Sequence, residues 1–312
     1  MPWDDKIERR LKLKDLRTLL AVVDAGGMGK AADRLNTSQP AVSQAIANLE
    51  RTLGKRLLER GRKGIELTPY GEALLRCGAA VFDDLRKGVE EIGFISDPTS
   101  GEVRIGCSEP VAAGLLSEVI DRVMRQYPRI VVHAVPGQPL ELLRDLDARK
   151  IDFVLAQNVG RSSAEHRNIE ILYHEAVVVV AGPHHPQAHR RRVHLGDLAD
   201  QAWVLPPANT LISTLVTDAF LRSGLSAPRV SVIAPLLLLR LIFASRGQLL
   251  TAVPAIVLRG AAKQMSIKKL PVDLPSNRRP VGLVTLKDRV LSPVAQLFVE
   301  HTRAVTRTMD KG

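Results

Sequence analysis

The chain has 312 residues, of which 45 % are hydrophobic, 25 % charged and 4 % aromatic. That length holds two or three domains, and the composition excludes global disorder and collagen-like repeats. Lys+Arg outnumber Asp+Glu by 44 to 33, a formal net charge of +11, which favours an anionic partner with nucleic acid as the first candidate.

Taken in chain order, Leu16, Leu19, Leu20 and Val23 fall at i, i+3, i+4 and i+7 and predict a helix that Gly26-Gly27 stops. Met28, Ala31, Ala32 and Leu35 repeat the spacing in a second short helix. After the Asn36-Thr37 turn, Ser38 is a good N-cap and Pro40 fits the first turn of a third helix that runs to about Thr52. Val42, Ile46 and Leu49 face inward. On the other side lie Pro40, Ser43, Gln44, Ala47 and Arg51, a small polar face ending in a positive charge. A solvated helix face usually carries longer charged residues, whereas this one suits close approach to base edges and phosphates.

Between Arg51 and Gly64 stand six basic residues, Arg51, Lys55, Arg56, Arg60, Arg62 and Lys63, against one acid, Glu59. Two short apolar pieces around this basic tip predict a β-hairpin wing. Thr68 and Pro69 then open a long helix with Leu74, Val81, Leu85 and Ile92 at 3/4 spacing and Gly78 and Gly88 between them. Such a seam on a single helix pairs with a copy of itself. Ser96–Gly101 is a linker by composition.

From Glu102 strands alternate with helices. Strands are predicted at Val103–Gly106, Ile130–Val135, Phe153–Ala156, Ala176–Ala181, Val230–Ile233, Leu249–Val253 and Pro280–Leu286. Helices are predicted at Val111–Gln126, around Leu140–Leu146, and at Thr210–Arg222, Leu236–Ser245 and Ser292–Thr308. The alternation predicts parallel sheets with right-handed crossovers, as one large sheet or two small lobes.

The segment Leu16–Leu67 resembles the winged helix-turn-helix of LysR-type transcriptional regulators. The resembling residues are Gly29–Leu35, Ser38–Ser43, Ile46, Leu49-Glu50, Leu53-Gly54, Leu57–Arg60 and Leu67–Gly71. Leu58 departs from the pattern, since the family more often has Phe there. Weaker matches continue through Gly101–Gly106, Tyr127-Pro128, Lys150–Asp152, His184–Pro186 and Asp197–Ala199. The resemblance implies a fold of α + α/β class: a winged helix-turn-helix at 11–68, a linker and dimerisation helix at 69–98, and an effector-binding domain at 99–312. That last domain is periplasmic-binding-protein-like and two-lobed, with lobe one at 99–160 and 267–312 and lobe two at 161–266. It further implies a homotetramer built as a dimer of dimers, a double-stranded DNA operator, a small-molecule effector, and RNA polymerase as a further partner.

Carried over residue by residue, the third helix enters the major groove with Ser38, Gln39, Pro40, Ser43 and Gln44. Gln39 can pair bidentately with adenine, and Pro40 can pack on a thymine methyl. Ser38 and Ser43 suit phosphates, which set register. Gln44 stands where the family often has Arg. Lys30 and Arg34 can reach the backbone, and Arg60, Arg62 and Lys63 on the wing the flanking backbone or minor groove. Ligands of α/β sheets sit at strand C-terminal ends near helix N-termini. The effector candidates are therefore Ser108, Glu109, Pro110, Gly137, Gln138 and Asn158, with Asn209 and Thr210 in lobe two. Pro110 replaces the hydroxyl residue that is common there, and Glu109 would oppose an anionic ligand.

Other chemistries fit less well. Gly29-Lys30 lacks the earlier Gly and the following Ser/Thr of a phosphate loop, with Asp24 and Ala31 in those places. His184, His185, His189 and His194 surround Arg190–Arg192 without an acidic or Cys ligand spaced to complete a metal site. No nucleophile elbow or dinucleotide fingerprint follows a strand. No enzyme activity, metal or cofactor is therefore expected. Cys77 should pack beside the linker seam, and Cys107 lies near the cleft without a redox partner close in sequence. Met1–Arg10 lacks the apolar run of a signal peptide, and Val230–Leu258 is broken by Pro235, Arg240, Arg246 and Pro254. A soluble cytoplasmic protein with no membrane contact is expected. A solute-binding protein or non-catalytic sensor with an α/β cleft is the alternative. The effector, the target genes and the sign of regulation are not encoded in any of these features.

Overall fold

A computed structural model describes residues 5–61, 64–159, 165–274, 278–307 and 309. The chain divides into two compact units, Met1–Val89 and Glu90–Gly312.

The first unit runs α1 (Asp5–Arg10), α2 (Leu13–Ala25), α3 (Met28–Arg34), α4 (Gln39–Leu53), β1 (Leu58–Gly61), β2 (Gly64–Leu67) and α5 (Pro69–Ser96), the last extending into the second unit. The predicted helices and wing are present, and α1 is an addition to them. Leu19, Val22, Ala31, Val42, Ile46, Leu49 and Leu57 form one buried cluster. Leu58, smaller than the Phe usual there, packs half-buried at its edge. The left-handed Gly54 (φ +60) closes α4. Glu50 then ties α4 to the wing, its Oε1 accepting the N–H groups of Leu57 (2.8 Å) and Leu58 (3.4 Å). Thr68 caps α5 by accepting from Gly71 N–H at 3.1 Å while donating to Arg56 O at 2.7 Å. A Cβ on Gly71 would lie 2.1 Å from Leu57 O, so only glycine lets the helix start this close to the wing.

The predicted seam of α5 divides. Leu74 packs on the first unit's core and Gly78 lies against Leu16 and Leu20. Leu85, Val89, Ile92 and Ile95 are 50–74 % exposed. Cys77, expected to pack, is exposed.

The second unit begins β3 (Ser100–Cys107), α6 (Glu109–Val111), a π-helical turn Ala112–Leu116, α7 (Ser117–Gln126), β4 (Arg129–Pro136), α8 (Pro139–Asp147), β5 (Phe153–Gln157), β6 (Arg167–Glu175) and β7 (Val177–Ala181). It continues with β8 (Ala202–Leu205), α9 (Leu211–Arg222), β9 (Arg229–Ile233), α10 (Leu237–Ser245), β10 (Thr251–Pro254), α11 (Ala261–Gln264), β11 (Lys268–Lys269), β12 (Arg279–Leu286) and α12 (Pro293–Thr306). The sheets have orders β4-β3-β5-β12-β6, β10-β7-β11 and β8-β9.

The expectation of parallel sheets is corrected. β3 is parallel to β4 and β5, and β8 to β9, but β12 runs antiparallel to β5 and β6, and β7 antiparallel to β10 and β11. Strand β6, absent from the sequence reading, still pairs with β12, so the chain passes from the five-stranded to the three-stranded sheet at Glu175–Val177. It returns between β11 and β12. The Lys150–Asp152 segment is structural. The Asp152 carboxylate meets Arg289 Nη2 at 2.9 Å and accepts from Arg104 N–H at 2.8 Å, with both members of the ion pair buried. Among the described residues no helix is long and apolar enough to cross a membrane.

At the first passage Glu175 is 5 % exposed. Its carboxylate accepts from Gln157 Nε2 at 2.7 Å and from Ile256 N–H at 2.5 Å. Burial raises its pKa, and the two donors oppose this only in part. Because the folded-state pKa lies above the unfolded one, the folded chain keeps this proton when the unfolded chain has lost it. Its contribution to stability therefore declines as pH rises above the ordinary glutamate value of about 4.3.

Two outcomes are expected. Glu175→Gln should flatten the fall in melting temperature with rising pH above that value; an unchanged profile would remove Glu175 as its source. Gly71→Ala should destabilise the first unit by about 1–3 kcal/mol in denaturant titrations, since Leu57 O cannot retreat without moving the wing; an unchanged midpoint would contradict the close approach.

Candidate functional site

In the first unit, the inward turn of Val42, Ile46 and Leu49 leaves the opposite side of α4 in solvent. Gln39, Pro40, Gln44 and Arg51 are exposed, and Ser43 and Ala47 half-buried. Ser38 is the N-cap, and its hydroxyl accepts from Ala41 N–H at 3.4 Å. Ser43 does not point outward freely: its hydroxyl donates to Met28 Sδ at 3.2 Å. Gln44 Nε2 donates to Asn48 Oδ1 at 2.9 Å, and Arg51 Nη1 reaches the same oxygen at 3.4 Å. Asn48 was not singled out from the sequence, although it stands one helical turn beyond Gln44. Its oxygen accepts from both side chains, and the residue is half-buried.

Lys30 and Arg34 are exposed on α3. In the wing, β1 and β2 pair in antiparallel register with Arg60 opposite Ile65 and Gly61 opposite Gly64. The candidates Arg62 and Lys63 at its tip lie outside the described residues.

In the second unit, the C-terminal ends of β3 and β4 meet, with Gly137 N–H donating to Cys107 O at 3.3 Å. Ser108 N–H donates to Leu155 O of β5 at 3.3 Å. Ser108, Glu109, Pro110, Gly137 and Gln138 thus gather at one edge. Ser108 Oγ is buried and has no hydrogen-bond partner among the described residues. Glu109 is already committed: its two carboxylate oxygens lie 3.2 and 3.1 Å from Leu237 N and cap the start of α10. Gln138 opens α8, its N–H donating to Glu141. Asn158 takes φ +59 and donates its N–H to Pro280 O at 2.9 Å, on the β12 side of β5. Thr210, the N-cap of α9, gives its hydroxyl to Pro207 O at 2.7 Å, and Asn209 is exposed.

Further polar groups lie buried in this unit that sequence reasoning did not reach. Tyr173 Oη, Thr251 Oγ1 and Arg240 Nε have no partner among the described residues, while Arg240 Nη1 donates to Ala252 O at 3.0 Å. Burial holds Arg240 below the usual guanidinium range, with Glu109 opposing the shift. These residues carry no sequence motif; their burial on β6, α10 and β10 comes from tertiary packing.

Cys107 is buried, and burial pushes its thiol up to about 11, so it stays protonated at neutral pH. His185 is buried and accepts from Gln187 N–H at 3.2 Å through Nδ1, with burial lowering its pKa. His189 Nε2 lies 2.7 Å from Pro183 O. Among the described residues no group of three or more His, Cys, Asp and Glu is placed to hold a metal ion.

Comparison with known proteins bears on both units. Residues 13–72 match the family model described as "Bacterial regulatory helix-turn-helix protein, lysR family", and residues 96–307 match "LysR substrate binding domain". The chain is 30 % identical over 290 residues to the transcriptional dual regulator GltC of Bacillus subtilis, covering 93 % of this chain and 96 % of GltC. It is 27 % identical over 301 residues to the DNA-binding transcriptional dual regulator OxyR of Escherichia coli, covering 96 % of each. Its fold matches full-length CbnR complexed with target DNA at a TM-score of 0.61 and 22 % identity, over 94 % of this chain and 99 % of CbnR. It also matches a full-length OxyR variant from Pseudomonas aeruginosa at a TM-score of 0.64 and 17 % identity, over 95 % of each. A matched helix-turn-helix alongside the matched substrate-binding domain disfavours the solute-binding alternative. With both modules matched in order and a relative similar over nearly its whole length, the chain belongs to the LysR family of DNA-binding transcriptional regulators.

Proposed function

We propose that the chain recognises its operator through the outward face of α4 and changes its grip when a small molecule enters the second unit. The observation that carries this is the exposed face of Gln39, Pro40 and Gln44, with half-buried Asn48 beside them, on a helix whose Val42, Ile46 and Leu49 are buried. Gln39 reads a base edge, Pro40 meets a thymine methyl, and Ser38, Ser43, Lys30, Arg34 and the wing cations Arg60, Arg62 and Lys63 hold phosphates. Gln44 and Arg51 hold the Asn48 amide toward the groove. Ser43 must leave Met28 to reach a phosphate.

The five-stranded sheet serves as the first lobe, and the three- and two-stranded sheets as the second. The effector sits at the edge formed by Ser108, Gly137 and Gln138, where the Ser108 hydroxyl is free to hydrogen-bond. Glu109 acts on the cap of α10 rather than on the ligand directly. Effectors typically shift affinity 5- to 150-fold, or about 1–3 kcal/mol, by binding one lobe arrangement better than the other. Rearrangement of the DNA-bound assembly then alters DNA bending or the access of RNA polymerase. The chain works by binding rather than by catalysis, in the cytoplasm where its DNA is. Leu85, Val89, Ile92 and Ile95 on α5 pair subunits, and two such pairs make the tetramer.

A genome-wide in vitro binding map with full-length protein should give a few strong sites, each an interrupted dyad with half-sites about one helical turn or a multiple apart; only diffuse binding would count against operator recognition. On the strongest fragment, Gln39→Ala should weaken binding about 5- to 150-fold, and Ser43→Arg should abolish or redirect it. If neither changes, the reading face is misplaced. Val89→Asp with Ile92→Asp should lower the assembly state in light scattering; an unchanged mass would place subunit pairing elsewhere.

A further inference from the structure

Beside the reading helix lies a groove of ≈ 1190 Å³ that belongs wholly to the first unit. One wall is made by α1 and the start of α2, and carries Arg9, Arg10, Lys12, Lys14 and Arg17. The opposite wall is α4 with the turn after α3, and carries Arg34 and Arg51 beside the reading residues Gln44 and Asn48. Among the described residues Asp15 is the one acid in the lining, and none of these cations is in an ion pair with a carboxylate.

The first wall is built, not frayed. Ile7 of α1 is 7 % exposed, α1 packs on α4, and Leu11 joins the edge of the unit's core. Leu11 N–H donates to Ile7 O at 2.9 Å and carries the helical turn forward. The charges also stand where the fold itself disfavours them. Lys12 is the N-cap of α2 and Lys14 lies in its first turn, at the positive end of the helix dipole. Five cations between residues 9 and 17 repel one another with one acid among them. Among the described residues only Asp15, in the first turn of α2, offsets part of that cost. An external polyanion would offset the rest, and the groove runs continuously onto the face that reads base edges. The helix-turn-helix family model begins at residue 13, so α1 lies outside it.

We infer that α1 and the first turn of α2 form a second DNA-backbone site, which extends the operator contact beyond the winged helix-turn-helix. Its partner is the phosphodiester strand that flanks the bases read by α4. The inference rests on the reading face proposed above. It adds affinity and salt dependence without adding sequence preference, because phosphates carry no base identity.

The test uses full-length protein and two duplexes of equal length, the strongest fragment of the genomic map and an unrelated sequence. Binding is titrated between roughly 50 and 200 mM salt. Arg9→Gln with Arg10→Gln should make the slope of log affinity against log salt shallower by about 1.8, at about 0.9 for each phosphate contact, on both duplexes. The ratio of the two affinities should stay as in the wild type. Arg9→Lys with Arg10→Lys should retain the wild-type slope. Lys12→Gln with Lys14→Gln, on α2, is the second variant and should lower the slope similarly. Wild-type slopes in both Gln variants would overturn the inference. Failure of the reading face looks different: Gln39→Ala would leave the affinity ratio unchanged, and the slope on the unrelated duplex would still decide the groove.

Discussion

The burial of Val42, Ile46 and Leu49 is the constraint on which the first unit depends. Each side chain is at most 3 % exposed, and each contributes on the order of 1.5–3 kcal/mol by leaving water. At 3.6 residues per turn, locking three inward positions leaves one rotation for the helix. Gln39, Pro40, Gln44 and Arg51 are then left exposed on the opposite side. Glu50 passes the same restraint to the wing through Leu57 and Leu58, and Gly71 lets α5 start against it. The helix α4, the wing and the start of α5 are therefore positioned by one small core.

The second unit is organised by two passages of the backbone between sheets. The first passage is held by a buried carboxylate with donors from β5 and from the segment after β10, so Glu175 couples parts of both sheets in one network. Nearby in the same unit, Glu109 caps α10 across a separation of 128 residues. Both are acids placed where they answer backbone N–H groups, and neither is free to meet a ligand without giving up that role. At the effector site proposed above, the polar edge is already partly satisfied by the chain, which favours a ligand that hydrogen-bonds to Ser108 over one that must displace Glu109.

Charge is distributed differently in the two units. In the second, Arg289 meets Asp152, Arg303 meets Glu170, Arg167 meets Asp147 and Arg129 meets Asp97. In the groove of the first, cations stand without carboxylate partners among the described residues. That groove concentrates seven of the chain's Lys and Arg residues around one acid, Asp15. Paired arginines fasten strands and helices, and the unmatched cations of the groove are the ones assigned above to a polyanion.

The sequence by itself determined the helices of the first unit, its N-caps at Ser38 and Thr68, the wing and most strands of the second unit. Those signals are local: apolar periodicity, a capping side chain, a glycine at a turn. It also determined which face of α4 is polar, because the inward residues are adjacent in the pattern. Tertiary structure decided what needs a partner from far along the chain. Strand direction in the sheets was illegible, since β/α alternation does not say when the chain crosses between sheets and comes back antiparallel. Strand β6 was missed because its edge position leaves a mixed, half-exposed pattern and a register shift opposite Val281-Gly282. Asn48 escaped notice because its role comes from Gln44 and Arg51 around it, and α1 because a short charged segment shows no period until Ile7 finds a core. Glu109 read as a ligand residue from its place after a strand. Only the fold brought Leu237 N–H to it, because hydrogen-bond partners of buried or capping groups are set by three-dimensional proximity and not by spacing in the chain.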